Sequence, residues 1–224
     1  MRRSLVIAIL VAACARGPKP APPVNTADLP IASDAAAESL LVDVRTLDST
    51  IRVEARYATA NNFTGAALPG YEANRALLRR EAAQALARVQ RRARDEGVGL
   101  KVWDAYRPAR ATQAMVDWTE RTGRQSLVRD GYIASRSRHN LGLAIDLTLV
   151  DLASGAELAM GTPFDTFSAA AHTANAEGDV ARNRRRLVRL MEAEGFRNYA
   201  QEWWHFSYDV PDPRRFDLPV RPAP

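Results

Sequence analysis

The spacing of apolar residues divides the chain into short β-strands and longer helices. Alternating or continuously apolar segments predict strands over 40–44, 51–55, 99–105, 143–150 and 204–208. Helical spacing of apolar residues predicts helices over 72–96, 108–121 and 180–194. Gly97 and Gly195 stand at the ends of the first and last helices, where glycine commonly stops a helix. Because strands and helices do not alternate regularly, we predict a single α+β domain with a mostly antiparallel sheet.

The N-terminal residues have the pattern of an export signal. Two arginines follow Met1, and an apolar run extends over 5–13. That run is shorter than the roughly 20 residues that a membrane-spanning helix needs. Cys14, the only cysteine, follows Val-Ala-Ala and resembles the lipidated cysteine of a bacterial lipobox, although an ordinary signal peptide cleaved after Ala15 also fits. We predict a lipoprotein signal over 1–14 and an exported, membrane-anchored protein of the cell envelope or periplasm.

Composition divides the remainder into a tether, one domain and a tail. Residues 15–37 are rich in Pro and Ala, which predicts a semi-extended tether. Residues 38–218 suit one domain with a sizeable core, and a single cysteine leaves that domain without a disulfide. Residues 219–224 are predicted to form a disordered tail.

The basic charge of the chain is modest, with a formal net charge of +5 and a pI of about 9.8. Arginines over 79–96 are interspersed with acids, as on a solvated helix face, and a second arginine cluster lies over 182–189. No nucleic-acid recognition motif accompanies these charges, so we predict no nucleic-acid partner. Attraction to an anionic cell envelope fits the same charge.

His139 and Asp146 are candidate metal ligands. They stand seven residues apart, which on one straight strand places them on opposite faces, but a bend at 140–142 lets the side chains converge. Asp146 interrupts an otherwise apolar strand, and a buried carboxylate needs a partner. It is therefore either a metal ligand or a buried aspartate that backbone amides cap.

His205 is a third candidate ligand, and Glu202 is a candidate proton carrier. Two neutral imidazoles and one carboxylate form a common catalytic zinc set that leaves a position for water. Zinc lowers the pKa of such a water to about 7, and a neighbouring carboxylate takes the proton and passes it to the leaving amine. Glu202 precedes His205 by three residues, which suits a helical turn or a bend rather than a flat strand. A surface glutamate that caps a turn is the alternative.

Arg107 is a candidate for stabilising the negative charge that develops on an attacked amide. It follows a predicted strand and precedes Pro108, which biases its backbone away from helix and places it at a strand end. A surface arginine paired with an acid is the alternative.

Several segments together resemble the zinc-dependent D-alanyl-D-alanine dipeptidases, whose fold is shared with the signalling domain of hedgehog proteins. The matching segments include Tyr57-Ala58-Thr59, Asn62-Phe63-Thr64-Gly65, Trp103-Asp104-Ala105-Tyr106-Arg107-Pro108, the 137–146 segment, Phe164-Asp165 and Glu202-Trp203-Trp204-His205. The resemblance extends from about residue 41 to residue 220. It implies hydrolysis of D-Ala-D-Ala to two D-alanines in cell-wall peptide metabolism.

The resemblance also implies a role for each matching residue. One zinc ion per chain is held by His139, Asp146 and His205. Glu202 is the general base and acid, and Arg107 stabilises the tetrahedral intermediate. The free ammonium group of the substrate is bound by Tyr57, Ser137 and Asp165. A free amine held close to the metal restricts substrates to dipeptides.

Two other functions remain open from the sequence. A D,D- or L,D-carboxypeptidase would keep the zinc set but lack the amine-binding Asp165. A zinc-containing binding module without catalysis would keep the metal ligands, although Glu202 and Arg107 argue against it. The third histidine, His172, stands apart from the motifs, and we predict that it is a partly exposed structural residue.

Overall fold

The computed structural model describes residues 29–223 of the chain. In that range the helices are α1 (Asp34–Leu40), α2 (Arg80–Asp95), α3 (Ala109–Arg121), α4 (Ser126–Arg129) and α5 (Gly178–Glu192). The strands are β1 (Leu41–Asp43), β2 (Arg52–Val53), β3 (Leu77–Arg79), β4 (Val98–Asp104), β5 (Ala144–Asp151), β6 (Arg197–Tyr199) and β7 (Glu202–Ser207). None of the helices in the described range has the length and hydropathy that crossing a bilayer requires.

Five strands form the central sheet, in the order β2-β4-β5-β7-β6. Strand β2 runs parallel to β4, whereas the β4–β5, β5–β7 and β6–β7 pairs are antiparallel. Strands β1 and β3 form a separate antiparallel pair. Strand β5 lies in the middle of the sheet and is buried from Ala144 to Val150, which explains its continuous apolar sequence. The predicted α+β fold with a mostly antiparallel sheet is confirmed.

Helix α2 covers the sheet with small and aliphatic side chains. Its buried residues in the main core include Ala82, Ala83, Leu86, Val89 and Ala93. Among them lies the fully buried Gln90, which donates to Thr50 Oγ1 at 2.9 Å and accepts from the Leu100 N–H at 2.8 Å. These bonds tie α2 to β4 and satisfy a buried amide that would otherwise cost about 1–3 kcal/mol.

A buried arginine fixes the long connection between β5 and α5. The Arg184 guanidinium, on α5, donates to the carbonyl oxygens of Met160 at 2.8 Å, His172 at 2.7 Å and Ala170 at 3.1 Å. Because Met160 and the short turn over 169–172 both bind this one planar group, α5 sets their relative positions. The connection carries Asp165, one of the predicted substrate-binding residues.

Helix α2 begins at Arg80, later than the predicted start at residue 72. The preceding residues Leu77–Arg79 are buried and pair with Leu41–Asp43 as β3. A short apolar run fits both the helical and the strand period, and here pairing with β1 decides the outcome.

The folded domain extends past both predicted boundaries. The first four residues of helix α1, 34–37, lie in the predicted tether over 15–37, and Ala37 is buried. At the other end Val220 is fully buried and its N–H donates to the Gly70 carbonyl at 2.7 Å, so a disordered tail over 219–224 is wrong at this residue. Isolated apolar residues in Ala- and Pro-rich sequence give no periodic signal that would reveal such packing. The predicted signal over 1–14, with Cys14, lies outside the described residues.

Candidate active site

Three polar side chains form a row across the centre of the sheet. Asp104 at the end of β4 is in register with Asp146 on β5, and Asp146 is in register with His205 on β7. Residues in register on neighbouring strands have side chains on the same face, a few ångströms apart. Both aspartates are 3% exposed, so two carboxylates lie side by side in the core and need positive partners.

His139 reaches this row from a short 3₁₀ helix at Arg138–Leu141. Ser137 caps the helix by accepting from the His139 N–H at 3.2 Å, and Gly142 ends it with a φ of 64°. A side chain at Gly142 would meet Leu41 at 2.5 Å, so both the turn and the packing require glycine. The predicted bend between His139 and Asp146 is confirmed, and it folds the imidazole back over β5.

The lone pairs of the two histidines and Asp146 converge. His139 Nδ1 lies 2.6 Å from the Ala105 carbonyl oxygen, which only accepts, so Nδ1 carries the proton and Nε2 presents its lone pair. His139 Nε2 lies 3.2 Å from His205 Nδ1 and 3.4 Å from one Asp146 oxygen. His205 Nδ1 lies 2.9 Å from the other Asp146 oxygen.

This donor set fits a zinc ion. Ligands about 2.0–2.1 Å from zinc at the corners of a tetrahedron are about 3.3 Å apart, close to the separations of these atoms. All three ligand atoms lie within 4.8 Å of one another. Burial lowers the pKa of His205 and so favours its neutral, metal-binding form. Although burial alone disfavours its charge, His139 and His205 hold the pKa of Asp146 below its ordinary range.

Arg107 lies beside the ligands as a buried, positioned cation, not as the surface arginine that was the alternative. Its guanidinium donates twice to one oxygen of Asp104, at 3.0 and 2.7 Å, and lies 3.8 Å from Asp146. Burial disfavours its charge, but Asp104 together with Tyr57, Tyr71 and Asp146 raises the pKa of Arg107 well above its ordinary value. The cation is therefore permanent.

Tyr57 and Asp165 form a second polar group in the same cavity. The Tyr57 hydroxyl lies 2.9 and 3.1 Å from the two Asp165 oxygens, and its ring lies 5.0 Å from the Arg107 guanidinium carbon. Asp165 adopts a φ of 60°, the single positive φ of a non-glycine residue in the described range. Burial, and then the charge of Asp146, raise the pKa of Asp165 to about 8. This carboxylate lacks a cation of its own.

Glu202 lines the cavity at the start of β7. Its Oε2 atom lies 3.9 Å from His205 Nδ1. Burial, followed by the charges of Asp146 and Asp165, raises the pKa of Glu202 well above its ordinary value. The segment is a strand, contrary to the predicted turn or bend, but the β6–β7 register shifts opposite its first residue. That irregularity lets both side chains face one cavity.

All eight predicted site residues of the domain line a single cavity of about 280 Å³. They are Tyr57, Arg107, Ser137, His139, Asp146, Asp165, Glu202 and His205. Aromatic residues complete the wall and include Phe63, Tyr132, Phe167, Tyr199 and Trp204. A cavity of this size admits a small molecule rather than a folded chain.

Comparison with known proteins identifies the family. A family model described as D-ala-D-ala dipeptidase matches residues 37–216. The D-alanyl-D-alanine dipeptidase of Enterococcus faecium is 40% identical over 189 residues, which cover 76% of this chain and 93% of that protein. The D-alanyl-D-alanine dipeptidase of Streptomyces coelicolor is 40% identical over 193 residues, or 78% of this chain and 95% of that protein. The chain belongs to the D-alanyl-D-alanine dipeptidase family.

Solved structures of related peptidases align more loosely with this family member. The vancomycin-resistance D,D-dipeptidase VanXYg, in complex with a D-Ala-D-Ala phosphinate analogue, aligns with a TM-score of 0.40 at 19% identity, over 75% of this chain and 66% of that one. The LD-carboxypeptidase LdcB aligns with a TM-score of 0.41 at 22% identity, over 59% of each chain.

Asp104 and Tyr71 belong to the site but were not predicted as site residues from the sequence. Asp104 holds Arg107 and accepts from the Tyr71 hydroxyl at 2.5 Å, and its oxygen lies 3.3 Å from His139 Nδ1. It therefore orients both the cation and a metal ligand. The sequence does contain a sign of this role, because Asp104 ends an apolar strand just as Asp146 interrupts one, and a buried carboxylate needs a partner.

His172 lies outside the cluster, as predicted for a structural histidine. Its Nε2 atom lies 3.2 Å from the Tyr132 hydroxyl, and its carbonyl accepts from Arg184.

We predict that His139→Ala lowers bound zinc at least about tenfold, because a three-ligand site loses one donor. His172→Ala is the matched control and should keep the zinc content of the unmodified chain. This prediction is tested by measuring the zinc content per chain by mass spectrometry after exhaustive dialysis. A full zinc complement in His139→Ala would refute the assigned ligand set.

Proposed function

We propose that this chain is a zinc-dependent dipeptidase that hydrolyses D-Ala-D-Ala to two D-alanines in cell-wall peptide metabolism. The observation that carries the proposal is the convergence of a three-donor metal set, a proton-accepting carboxylate and a permanent cation in one small cavity. Membership of the family supports the substrate and its D configuration.

One zinc ion per chain would be held by His139 Nε2, His205 Nδ1 and the Asp146 carboxylate. When bound there, zinc supplies Lewis acidity that activates water and polarises the scissile carbonyl. Ala105 and Asp104, on the far side of the His139 ring, fix its orientation and tautomer.

Glu202 moves the proton. As water oxygen bonds to the carbonyl carbon, a Glu202 oxygen takes the water proton, and it delivers that proton to the amide nitrogen as the C–N bond breaks. Burial, followed by the charges of Asp146 and Asp165, raises the pKa of Glu202, which makes this carboxylate a stronger proton acceptor than an exposed glutamate.

Arg107 stabilises the oxyanion that forms on the attacked carbonyl. Its two bonds to Asp104 hold the guanidinium before substrate arrives, so no reorganisation is needed during the reaction. The Tyr57 ring below the guanidinium adds a further favourable contact.

Asp165, Tyr57 and Ser137 bind the substrate ammonium group. Burial and then the charge of Asp146 raise the pKa of Asp165 to about 8, and a cation beside this carboxyl group would favour its charged form. An acylated amine has no charge and adds bulk in the same place. The subsite therefore selects dipeptides over the longer peptides that a carboxypeptidase accepts.

The setting of the enzyme is proposed from the N-terminal pattern alone. Export through the signal over 1–14 and lipidation of Cys14 would place the domain in the envelope, close to wall peptides.

Replacing Glu202 by Gln should keep the zinc content but lower kcat for D-Ala-D-Ala about 10²–10⁴-fold, since an amide cannot carry the proton. Release of free D-alanine by the unmodified chain and the variant gives the comparison. If the zinc-loaded unmodified chain releases no D-alanine, the chain is a binding module and the proposal fails. An undiminished kcat in the variant would show that Glu202 does not carry the proton.

Asp165→Asn should raise KM for D-Ala-D-Ala about 10-fold or more, because a charge-assisted bond to the ammonium is lost. N-acetyl-D-Ala-D-Ala should be a poor substrate for both forms, and the variant should discriminate less between the two peptides. Efficient cleavage of the acetylated peptide by the unmodified chain would show a carboxypeptidase instead.

A further inference from the structure

The arginines on the outer face of α2 lie beside two exposed leucines from other segments of the chain. Its C-terminal half carries Arg88, Arg91, Arg92 and Arg94 on the solvent side. Two shallow hollows border this face. Leu47 lines one hollow with Arg88 and Arg91, and Leu152 lines the other with all four arginines. We call these six residues the basic face.

The basic face keeps a positive excess. Arg88 and Arg92 both bind the single carboxylate of Glu194, each at 2.5 Å. Arg91 and Arg94 form no ion pair with any residue in the described range. Asp95 is the other carboxylate that lines the hollows. Four guanidinium groups thus face two carboxylates, which leaves two positive charges on a small area.

The two leucines are unusual on this surface. Leu47 is 36% exposed and Leu152 is 42% exposed, and they belong to a set of four large hydrophobic residues exposed in the described range. Single exposed leucines are ordinary, but here two of the four border the same row of arginines. A protein surface that binds a membrane peripherally combines two kinds of side chain. Arginines bind the lipid phosphates, and aliphatic side chains enter the boundary between the headgroups and the acyl chains.

The basic face lies at the opposite end of the sheet from the active site. Leu152 directly follows β5, whereas Asp146 lies six residues earlier near its start, a separation of about 20 Å along the strand. The residues that line the hollows of the basic face are therefore separate from those that line the active-site cavity.

We propose that the basic face binds an anionic phospholipid bilayer and turns the active-site cavity away from the membrane. Two net charges and two leucines give weak binding on their own. The proposed role of the surface is therefore to set the orientation of the domain at the membrane.

The test uses the full zinc-loaded chain with Cys14→Ser, so that an introduced cysteine is the only label site. An environment-sensitive fluorophore is placed at Leu152→Cys or, as the control, at the exposed Asp130→Cys beside the cavity. Vesicles contain either equal parts phosphatidylglycerol and phosphatidylcholine or phosphatidylcholine alone. We expect a blue shift at position 152 with the anionic vesicles only, and no shift at position 130.

A charge-reversed pair supplies the second measurement. Arg91→Glu with Arg94→Glu should lower the vesicle-bound fraction at least about tenfold in about 0.1 M salt, with D-Ala-D-Ala hydrolysis unchanged. Arg121→Glu with Arg221→Glu makes the same charge change outside both hollows and should reduce binding far less. The proposal would be overturned if position 152 showed no blue shift, or if both label positions shifted equally. It would also be overturned if both charge-reversed pairs lost the same amount of vesicle binding. Binding of a soluble polyanion without any vesicle shift would overturn it as well.

Discussion

Negative charge concentrated around one guanidinium is the constraint on which the active site depends. Asp104, Asp146 and Glu202 are buried and Asp165 is half-buried, and Arg107 is the buried cation that binds Asp104 and lies 3.8 Å from Asp146. Placing charges out of water costs several kcal/mol each unless opposite charges lie nearby. Burial first, and then the neighbouring carboxylates, raise the pKa values of Glu202 and Asp165. A metal dication at one end of the cavity and a substrate ammonium at the other would balance this negative charge.

The fold supplies the positions that this charge arrangement needs. Three antiparallel strands place Asp104, Asp146 and His205 in register, and the strand pairing of the central sheet fixes their spacing. Glu202 begins β7, and the other groups come from connections, which adapt more readily than strands. Even these are held firmly, since Gly142 fits against Leu41 and Arg184 binds three carbonyls of the connection that carries Asp165. The rigid sheet therefore carries two of the metal ligands, while ordered loops shape the substrate pocket.

The convergence of His139 and Asp146 could be predicted from the sequence, because both residues break local patterns in ways that a bend and a partner explain. Register could not be predicted in the same way. Asp104 and Asp146 both interrupt apolar strands, and only pairing across β4 and β5 shows that one holds Arg107 while the other faces the histidines. Tyr57 and Asp165 are separated by 108 residues and lack any local signal, so family resemblance alone suggested them. The start of α2 and the packing of Val220 likewise depend on contacts with distant segments.

The central claim is that one metal ion at His139, Asp146 and His205 completes a dipeptidase site. Titration of the metal-free protein with zinc, with D-alanine release from D-Ala-D-Ala measured at each addition, tests this claim most directly. The account predicts no turnover without metal, followed by a linear rise in activity that reaches its plateau at one zinc per chain. Full activity in the metal-free protein, or a plateau that requires two equivalents, would contradict it.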